Sequence, residues 1–386
     1  MTDKTLQTND TQPVRLLVAL ELSLKTWRLA MAVAGAPKQR FKTIAGGDYV
    51  ALGQAIEESN TKWGLDVATP VVFCYEAGRD GFYPYRQLTA AGHTVWVIDS
   101  ASIEVSRRKR RAKSDGIDAD KLLGLLQRYV GGETTALRVV RVPAVAVEDL
   151  RILPRERETL LQERQRLRNR IESALFGQGY RALPKTAKRL AAWLQERTDV
   201  GDYLKARLNR EVARLALVEA QLREVDARQA EVIQTESGTA AAGEVLRIAQ
   251  ALQGLVGIGL VGAWVLACEL FGWRDFHNRR EVGGALGLTP TPYSSGEDQR
   301  EQGISKAGNR RARSMLIELA WLWLRYQPDS ALSQWYRTRF ASGGKRPRRV
   351  GIVALARRLA VALWRYVKTG AVPEGAKLKP VSVAAN

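Results

Sequence analysis

Two apolar segments of the chain each carry a single carboxylate. Glu21 interrupts the run VRLLVALEL at 14–22, and Glu76 closes the run VVFCYE within 70–78. A carboxylate in an apolar strand is costly unless a cation or a metal ion lies beside it. For Glu21 alone, an edge-strand position facing water is the simpler interpretation. Together, the two supply the oxygen ligands that a hard divalent cation prefers.

A second pair of acids lies in the segment SDGIDAD at 114–120. Asp115 and Asp118 are three residues apart, so on a helix they share one side and repel each other. Helix capping accounts for one acid there without any metal. A metal cation bound between Asp115 and Asp118 explains why both acids are present. The two pairs together predict a Mg²⁺ site of the kind that assists phosphoryl transfer, with Glu21, Glu76, Asp115 and Asp118 as its ligands.

A Ser-Ser-Gly turn supplies a candidate nucleophile. Ser294 and Ser295 precede Gly296 and follow the proline-rich segment PTPY. Such a turn is usually an ordinary loop, but cations that could hold phosphates surround this one, as a serine attacking a phosphodiester requires. These cations are Arg300, Lys306, Arg310, Arg311 and Arg313. No histidine is close in sequence, so the metal or these cations would have to activate the serine.

Two further features favour contact with nucleic acid. Six of the seven residues at 107–113 are basic: Arg107, Arg108, Lys109, Arg110, Arg111 and Lys113. A solvated loop is the rival interpretation, but the acidic segment that follows favours phosphate contact. Gly257 and Gly259 match a helix-hairpin-helix turn, in which glycines let backbone N–H groups approach a phosphate. An ordinary tight turn between helices fits that pattern equally well.

The order of hydrophobic segments predicts a mixed α/β sheet in the first third of the chain. Strand-like runs at 14–22, 27–35 and 40–46 form a meander, which alternating helices and strands follow as far as 93–99. The ribonuclease H-like fold has the same order. We place this domain at 14–135.

Long helices rich in Arg and Glu follow, and we place them at 145–235. Apolar residues at alternating three- and four-residue steps predict a coiled-coil seam, with a helix packed on its own domain as the alternative. They are Leu208, Leu215, Val218, Leu222, Val225 and Val232. An antiparallel helical hairpin with its turn within 177–203 is compatible with both interpretations of this helix, the coiled-coil seam and the helix packed on its own domain. A linker at 236–244, a mainly helical domain at 245–375 and a loose tail at 371–386 complete the prediction.

Composition restricts the class of protein. Of 386 residues, 60 are Lys or Arg and 40 are Asp or Glu, and the net charge of +20 points to a polyanionic partner. Two cysteines and two histidines are too few for a disulfide framework or a structural zinc site. The polar first ten residues predict no secretory signal, and glycines break the uncharged stretch 248–268, so we expect a cytoplasmic protein that needs no membrane.

From about residue 14 to 375, the chain resembles the insertion-sequence family 110 (IS110) transposases, also called DEDD transposases. The resemblance rests on the segments VALELSLKTW, CYEAGRDG, RRAKSDGIDADKLL, the Gly-Ile-Gly turn and PTPYSSGEDQREQGISKAGNRRAR, in that order. It implies a RuvC-like domain of ribonuclease H type, joined through a coiled coil to a smaller transposase domain. It also maps the four acids of that family onto Glu21, Glu76, Asp115 and Asp118, and its nucleophile onto Ser295, with Ser294 as the alternative.

The resemblance implies an RNA-guided recombinase. A non-coding bridge RNA would pair with donor and target DNA, and strands would be cut and rejoined through a covalent serine–DNA intermediate. The composite sites would be assembled between protomers of a dimer or tetramer, on the nucleoid of a prokaryotic cell. One departure is Glu21, where most members have Asp; its extra methylene moves the carboxylate by about one C–C bond.

Two other functions are compatible with the same residues. A metal-dependent resolvase or nuclease would use the four acids and a water molecule, and would not need Ser295. A non-catalytic nucleic-acid-binding protein would use the acids only to cap helices and to pair with arginines.

Overall fold

The computed structural model of the chain describes residues 14–78, 81–99, 115–235, 240–295 and 298–380, and it describes side chains for all of these except 115–118, 235 and 292–302. The chain divides into two compact units, one up to Val142 and one from Pro143 onward. The three predicted domains, 14–135, 145–235 and 245–375, stay a prediction.

The first unit contains a five-stranded mixed sheet. Its elements are β1 Leu16–Leu22, β2 Thr26–Val33, β3 Gln39–Ala45, α1 Tyr49–Trp63, β4 Val71–Glu76, α2 Tyr83–Ala90, β5 Thr94–Ile98 and α3 Asp115–Val130. The strand order is β3-β2-β1-β4-β5, with β1 parallel to β4 and antiparallel to β2. The predicted mixed α/β sheet is confirmed, whereas its assignment to the ribonuclease H type stays a prediction.

The central strand β1 is buried on both faces, and its side chains alternate between two core layers. Leu16, Val18 and Leu20 pack with the apolar residues of α1 and α2. Leu17 and Ala19 face the other side, where α3 covers the sheet. The odd-numbered positions of β1 therefore face α3.

The second unit begins with an antiparallel helical hairpin. Its elements are α4 Val145–Leu150, α5 Ile152–Phe176, α6 Ala187–Gln195 and α7 Asp202–Thr235. Ion pairs join Arg157 to Asp226 at 2.6 Å and Arg170 to Glu211 at 2.8 Å, so α7 runs backward along α5.

Five of the six residues of the apolar seam predicted on α7 lie in the core of this hairpin; Val232 is buried but is not part of that cluster. Leu208, Leu215 and Leu222 belong to the same buried cluster as Leu160 and Leu167 of α5. The connection between the two long helices also contains α6, which packs on the same core and which the sequence analysis did not separate from the turn. A supercoiled geometry of α5 and α7 stays a prediction.

The rest of the second unit is mainly helical, as expected. Its elements are α8 Ala240–Gln253, α9 Leu260–Leu266, a π-helical turn Ala267–Phe271, α10 Arg279–Ala285, β6 Pro290–Ser295, β7 Asp298–Ile304, α11 Arg310–Tyr326, α12 Ala331–Tyr336, a second π-helical turn Arg337–Ala341 and α13 Lys345–Thr369. Strands β6 and β7 form a separate two-stranded ribbon. No helix of the described ranges combines the length and hydropathy needed to cross a bilayer.

Two predictions at the borders of this region are wrong for the residues that the structure describes, while 236–239 and 381–386 lie outside them. Residues 240–244 form the first turn of α8 and not a linker, and Ala242 in this turn is buried. Residues 371–380 are not loose: Lys379 donates its backbone N–H to Gly254, Val256 donates to Lys377, and the amide of Gln327 also binds Lys377. These backbone hydrogen bonds fix a segment that has few apolar residues to bury.

Candidate functional site

Two of the four predicted acids lie side by side at one edge of the sheet. Strands β1 and β4 are parallel, and the last residue pair in their register is Leu20 with Tyr75. Glu21 and Glu76 are the next residues on each strand, on strands about 4.8 Å apart. Both side chains are half-buried. The fold therefore brings together two carboxylates that are 55 positions apart in the chain.

Both acids face the layer that contains α3. Glu21 follows Leu17 and Ala19 along β1, and Glu76 follows Val72 and Cys74 along β4, and these four residues belong to the core under α3. Because side chains alternate along a strand, the two carboxylates point to that same face.

Contacts of α3 fix its direction across the sheet. Gln127, near its end, donates from Nε2 to the carbonyl oxygen of Ala36, just beyond β2, at 3.5 Å. The end of β2 pairs with the start of β1. Earlier on α3, the carbonyl oxygen of Leu122 accepts from Sγ of Cys74, in the middle of β4, at 3.8 Å. α3 thus runs antiparallel to β1 and β4, so its first turn lies toward the carboxyl ends of these strands.

That first turn carries the other two predicted acids, Asp115 and Asp118. Asp118 precedes Leu122 by one helical turn, about 6 Å along the axis. Glu76 lies two residues beyond Cys74, about 7 Å along its strand in the same direction. The backbone therefore brings all four positions to one end of one face, although the side chains at 115 and 118 lie outside the described ones.

A cation that the sequence analysis did not single out lies beside this edge. Arg28 on β2 pairs directly with Glu21 across the antiparallel strands, so both residues occupy one face. Its guanidinium lies 5.6 Å from the centre of the Phe41 ring, and its Nε is buried. Residue pairing between the first two predicted strands, which was not worked out from the sequence, is the signal that could have found it. Arg28 supplies a positive charge next to two carboxylates that repel each other.

The donor set at this edge suits a hard divalent cation, since carboxylate oxygens are the ligands that Mg²⁺ takes. Among the described side chains, no group of three metal-binding residues occurs. Glu21 and Glu76 form a pair, and the remaining donors of the predicted quartet are outside that description. The described residues therefore fit half of the predicted metal site.

The predicted nucleophile lies in the second unit, on the ribbon of β6 and β7. Ser295 is the last residue of β6, and Ser294 precedes it. In the register of the ribbon, Ser295 pairs with Asp298 and Ser294 with Gln299. Asp298 is an acid that the sequence analysis did not consider. Arg300, a predicted phosphate contact, pairs in the same register with Tyr293, two residues before Ser295.

The base of the ribbon is held by backbone contacts. Lys306 donates its N–H to the carbonyl oxygen of Gly287 at 3.0 Å, and Asn309 donates to Ala285 at 2.8 Å. Gly287 has φ +63°, and a Cβ there would lie 2.0 Å from the carbonyl oxygen of Ala307. Only glycine fits at that position. The close contact between 287 and 307 and the two backbone hydrogen bonds therefore hold the two ends of the ribbon together.

The predicted phosphate-binding cations near the ribbon differ in their surroundings. Arg313 donates from Nη1 to the carbonyl oxygens of Leu286 and Lys306 at 2.9 and 3.0 Å, and partial burial lowers its pKa. Arg311 pairs with Glu158 of α5. Lys306 and Arg310 are exposed. The cations of Arg311 and Arg313 are therefore already engaged inside the fold.

A buried ion cluster connects the hairpin helices to the ribbon-bearing region. Glu269, in the first π-helical turn, accepts from Arg155 at 2.7 Å, from Arg151 at 3.1 Å and from the side chain of Asn309 at 2.9 Å. Burial alone would raise the pKa of Glu269, but the hydrogen bond from Arg155 and the two positive charges hold it at about 2. Asn309 also caps α11, directly after the ribbon.

The predicted glycine turn lies between α8 and α9, and its assignment as a helix-hairpin-helix motif stays a prediction. Gly257 has φ +87°, and a Cβ there would lie 3.2 Å from Cβ of Tyr326. Gly259 is exposed and precedes the first residue of α9. Ile258 is buried, which holds the turn in place. The predicted basic run Arg107–Arg111 with Lys113 lies outside the described residues.

Comparison with known proteins gives a consistent result. Residues 249–337 match the family model described as "Transposase IS116/IS110/IS902 family", and residues 54–178 match the DEDD model of IS110 transposases, described as "Transposase". A protein of Sinorhizobium fredii named as a candidate transposase, y4rJ, is 40% identical over 375 residues, which cover 94% of each chain. The transposase for insertion sequence element IS1328 of Yersinia enterocolitica is 25% identical over 80% of this chain and 87% of its own length.

Proposed function

This chain belongs to the IS110 family of transposases, and we propose that it cuts and rejoins donor and target DNA through a covalent bond between Ser295 and a DNA phosphate. As a member of that family it acts on DNA. The observation that carries the proposal is the register of β1 and β4, which sets Glu21 beside Glu76 at the end of the sheet where α3 begins.

The proposed chemistry needs no external energy source. The Ser295 oxygen forms a bond to phosphorus while the bond from phosphorus to a sugar oxygen breaks. The serine proton passes to a base, and the sugar oxygen leaves as a hydroxyl group. The reverse step, with a sugar hydroxyl from another strand as the nucleophile, rejoins the DNA and frees the serine.

The acids have the role of holding divalent metal. Glu21, Glu76, Asp115 and Asp118 would bind Mg²⁺, which when bound neutralises charge on the phosphate oxygens. Arg28 holds a positive charge beside Glu21 and limits the repulsion between the carboxylates before substrate arrives. With Glu in place of the usual Asp, the ligand at 21 reaches about one C–C bond further.

The acids and the serine belong to different compact units of the chain. We propose that a dimer or tetramer assembles them into composite sites, with acids from one protomer and serine from another. We also propose that a bridge RNA selects the DNA by base pairing, so that the protein reads backbone shape and not sequence. Sequencing the RNA that co-purifies with the protein from cells carrying its flanking DNA tests this part.

The separation of acids and serine also favours a second candidate function, a metal-dependent nuclease in which the acids alone activate water. The two functions differ in their need for Ser295. Ser295→Ala should abolish covalent protein–DNA adducts and strand exchange but leave DNA binding intact, while Ser294→Ala serves as the matched control. Adducts that persist in Ser295→Ala and vanish in Ser294→Ala would move the nucleophile to 294. Cleavage without adducts that survives Ser295→Ala would establish the nuclease.

A further inference from the structure

A basic groove of about 1080 Å³ lies in the second unit, whereas the four predicted acids belong to the first. The face of α13 forms one wall, and α10, α12 and the base of the ribbon form the rest. Five arginines of α13 line it: Arg346, Arg349, Arg357, Arg358 and Arg365. Arg279 and Arg280 of α10 face them across the groove. None of these was among the predicted nucleic-acid contacts.

The positive charge of the groove has no carboxylate partner among its described lining residues. No acidic residue is among the described residues that line it, and α13 contains no Asp or Glu over its 25 residues. Within the described part of the chain, no groove arginine takes part in an ion pair. Arg151 and Arg155, by contrast, both bind Glu269. A run of arginines without partners is costly for folding, since like charges repel. The same arginines create a positive electrostatic potential in the groove that attracts a polyanion.

The spacing of the arginines suits an extended phosphate backbone. Arg346 and Arg365 are 19 residues apart on one helix, which is about 28 Å at 1.5 Å per residue. One DNA strand carries a phosphate about every 3.4 Å of the helix axis, so this line spans about eight nucleotides. The guanidinium of Arg358 lies 4.1 Å from the centre of the Trp335 ring, a cation–π contact that holds it in place.

The apolar residues of the groove favour DNA over RNA. Leu288, Val350, Val353 and Val361 are among its lining residues and carry no hydrogen-bonding side-chain atom. A ribose 2′-hydroxyl placed against them would lose its hydrogen bonds, whereas a deoxyribose carbon at that position loses none.

We propose that this groove between α10 and α13 binds the sugar–phosphate backbone of a DNA strand. Pro290, Gly303 and Ile304, at the base of the ribbon, also line it, and Ser295 lies five residues beyond Pro290, about 17 Å along β6. DNA bound in the groove therefore contacts the base of the ribbon that carries Ser295. The binding does not require Ser295 to be the nucleophile, so the two proposals fail separately.

The test is equilibrium binding of the full chain to a 30-base-pair DNA duplex over a series of salt concentrations, with Arg346→Gln, Arg349→Gln and Arg365→Gln combined. If each arginine contacts one phosphate, the slope of log affinity against log salt falls by about 2.7, and affinity at 0.15 M salt falls about a hundredfold. A matched control combines Arg166→Gln, Arg210→Gln and Arg223→Gln, which remove the same charge from exposed positions of α5 and α7. An RNA duplex of the same sequence is the second ligand.

Loss of DNA affinity in the groove variant that clearly exceeds the loss in the control supports the proposal. Equal losses in both variants would show that only net charge matters, and an unchanged salt slope would show that the groove carries no phosphate; either overturns it. A loss confined to the RNA duplex assigns the groove to RNA and also overturns it. A photo-crosslinking residue at Val353 provides a second measurement, since it should label DNA and not RNA. Adduct formation by the unsubstituted chain reports on Ser295 independently.

Discussion

The carboxylates and the serine are positioned by different kinds of structure. Glu21 and Glu76 extend from neighbouring strands in the middle of a five-stranded sheet, where helices cover both faces. Ser295 ends one strand of a two-stranded ribbon. A buried central strand fixes its side chains through packing on both sides, whereas a two-stranded ribbon gains little stability by itself. The geometry of the acids is therefore set within the sheet, and that of the serine depends on what holds the ribbon at its base.

The largest effect that this comparison predicts is on catalysis. Glu76→Gln removes the charge of one of the proposed metal ligands at the sheet edge and should lower strand cleavage by about a thousandfold, because metal ions stabilise a phosphoryl-transfer transition state by several kcal/mol. Single-turnover cleavage across a Mg²⁺ titration measures it. Glu133→Gln, at a surface pair with Arg128 in the same unit, is the control. Equal cleavage rates for Glu76→Gln and Glu133→Gln would show that Glu76 is not part of the catalytic site.

The ion cluster around Glu269 supports the region that carries the ribbon, because Asn309, directly after the ribbon, donates to Glu269. Glu269→Ala should lower the free energy of unfolding by about 3–5 kcal/mol, because it leaves Arg151 buried without its carboxylate partner. Chemical denaturation at pH 7 measures the change. Glu158→Ala, which removes a partly exposed partner of Arg311, should cost less than about 1 kcal/mol. Similar values for the two would show that burial adds nothing to the Glu269 cluster.

The same cluster predicts a dependence on pH. The folded pKa of Glu269, about 2, lies below its ordinary value of 4.5, so its stabilisation is present above pH 4.5 and is lost as the pH falls toward 2. The loss amounts to at most about 3 kcal/mol. Stability measured between pH 6 and pH 3 should fall less steeply in Glu269→Gln than in the unsubstituted protein. Parallel curves would contradict the assignment.

The smallest predicted effect concerns the base of the ribbon. Gly287→Ala and Gly303→Ala both force a side chain into positive φ, at +63° and +91°. Only the alanine at 287 also collides with backbone atoms, those of Ala307, since a Cβ at 303 has open space around it. We expect about 1 kcal/mol of destabilisation at 303 and about 2–3 kcal/mol at 287, by thermal unfolding. Adduct formation should fall more in the Gly287 variant. If the two variants behave alike, the contact with Ala307 does not hold the ribbon.

Local pattern predicted much of the fold. The positions of the strands along the first unit and the break within 248–268 follow from hydrophobic runs and glycines, because these depend on neighbouring residues alone. The tail at 371–380 was missed because backbone groups hold it, and backbone groups leave no pattern in the side chains.

The sequence by itself determined which residues are available: four acids, two adjacent serines and an excess of arginines. Only the tertiary structure decided which of them meet. Strand register set Glu21 beside Glu76 and opposite Arg28, and helix packing buried Arg151 against Glu269 while leaving the arginines of α13 along an open groove. The physical reason is that a residue's type and spacing fix its local conformation, whereas its charge partners come from distant segments that packing alone brings within a few ångströms.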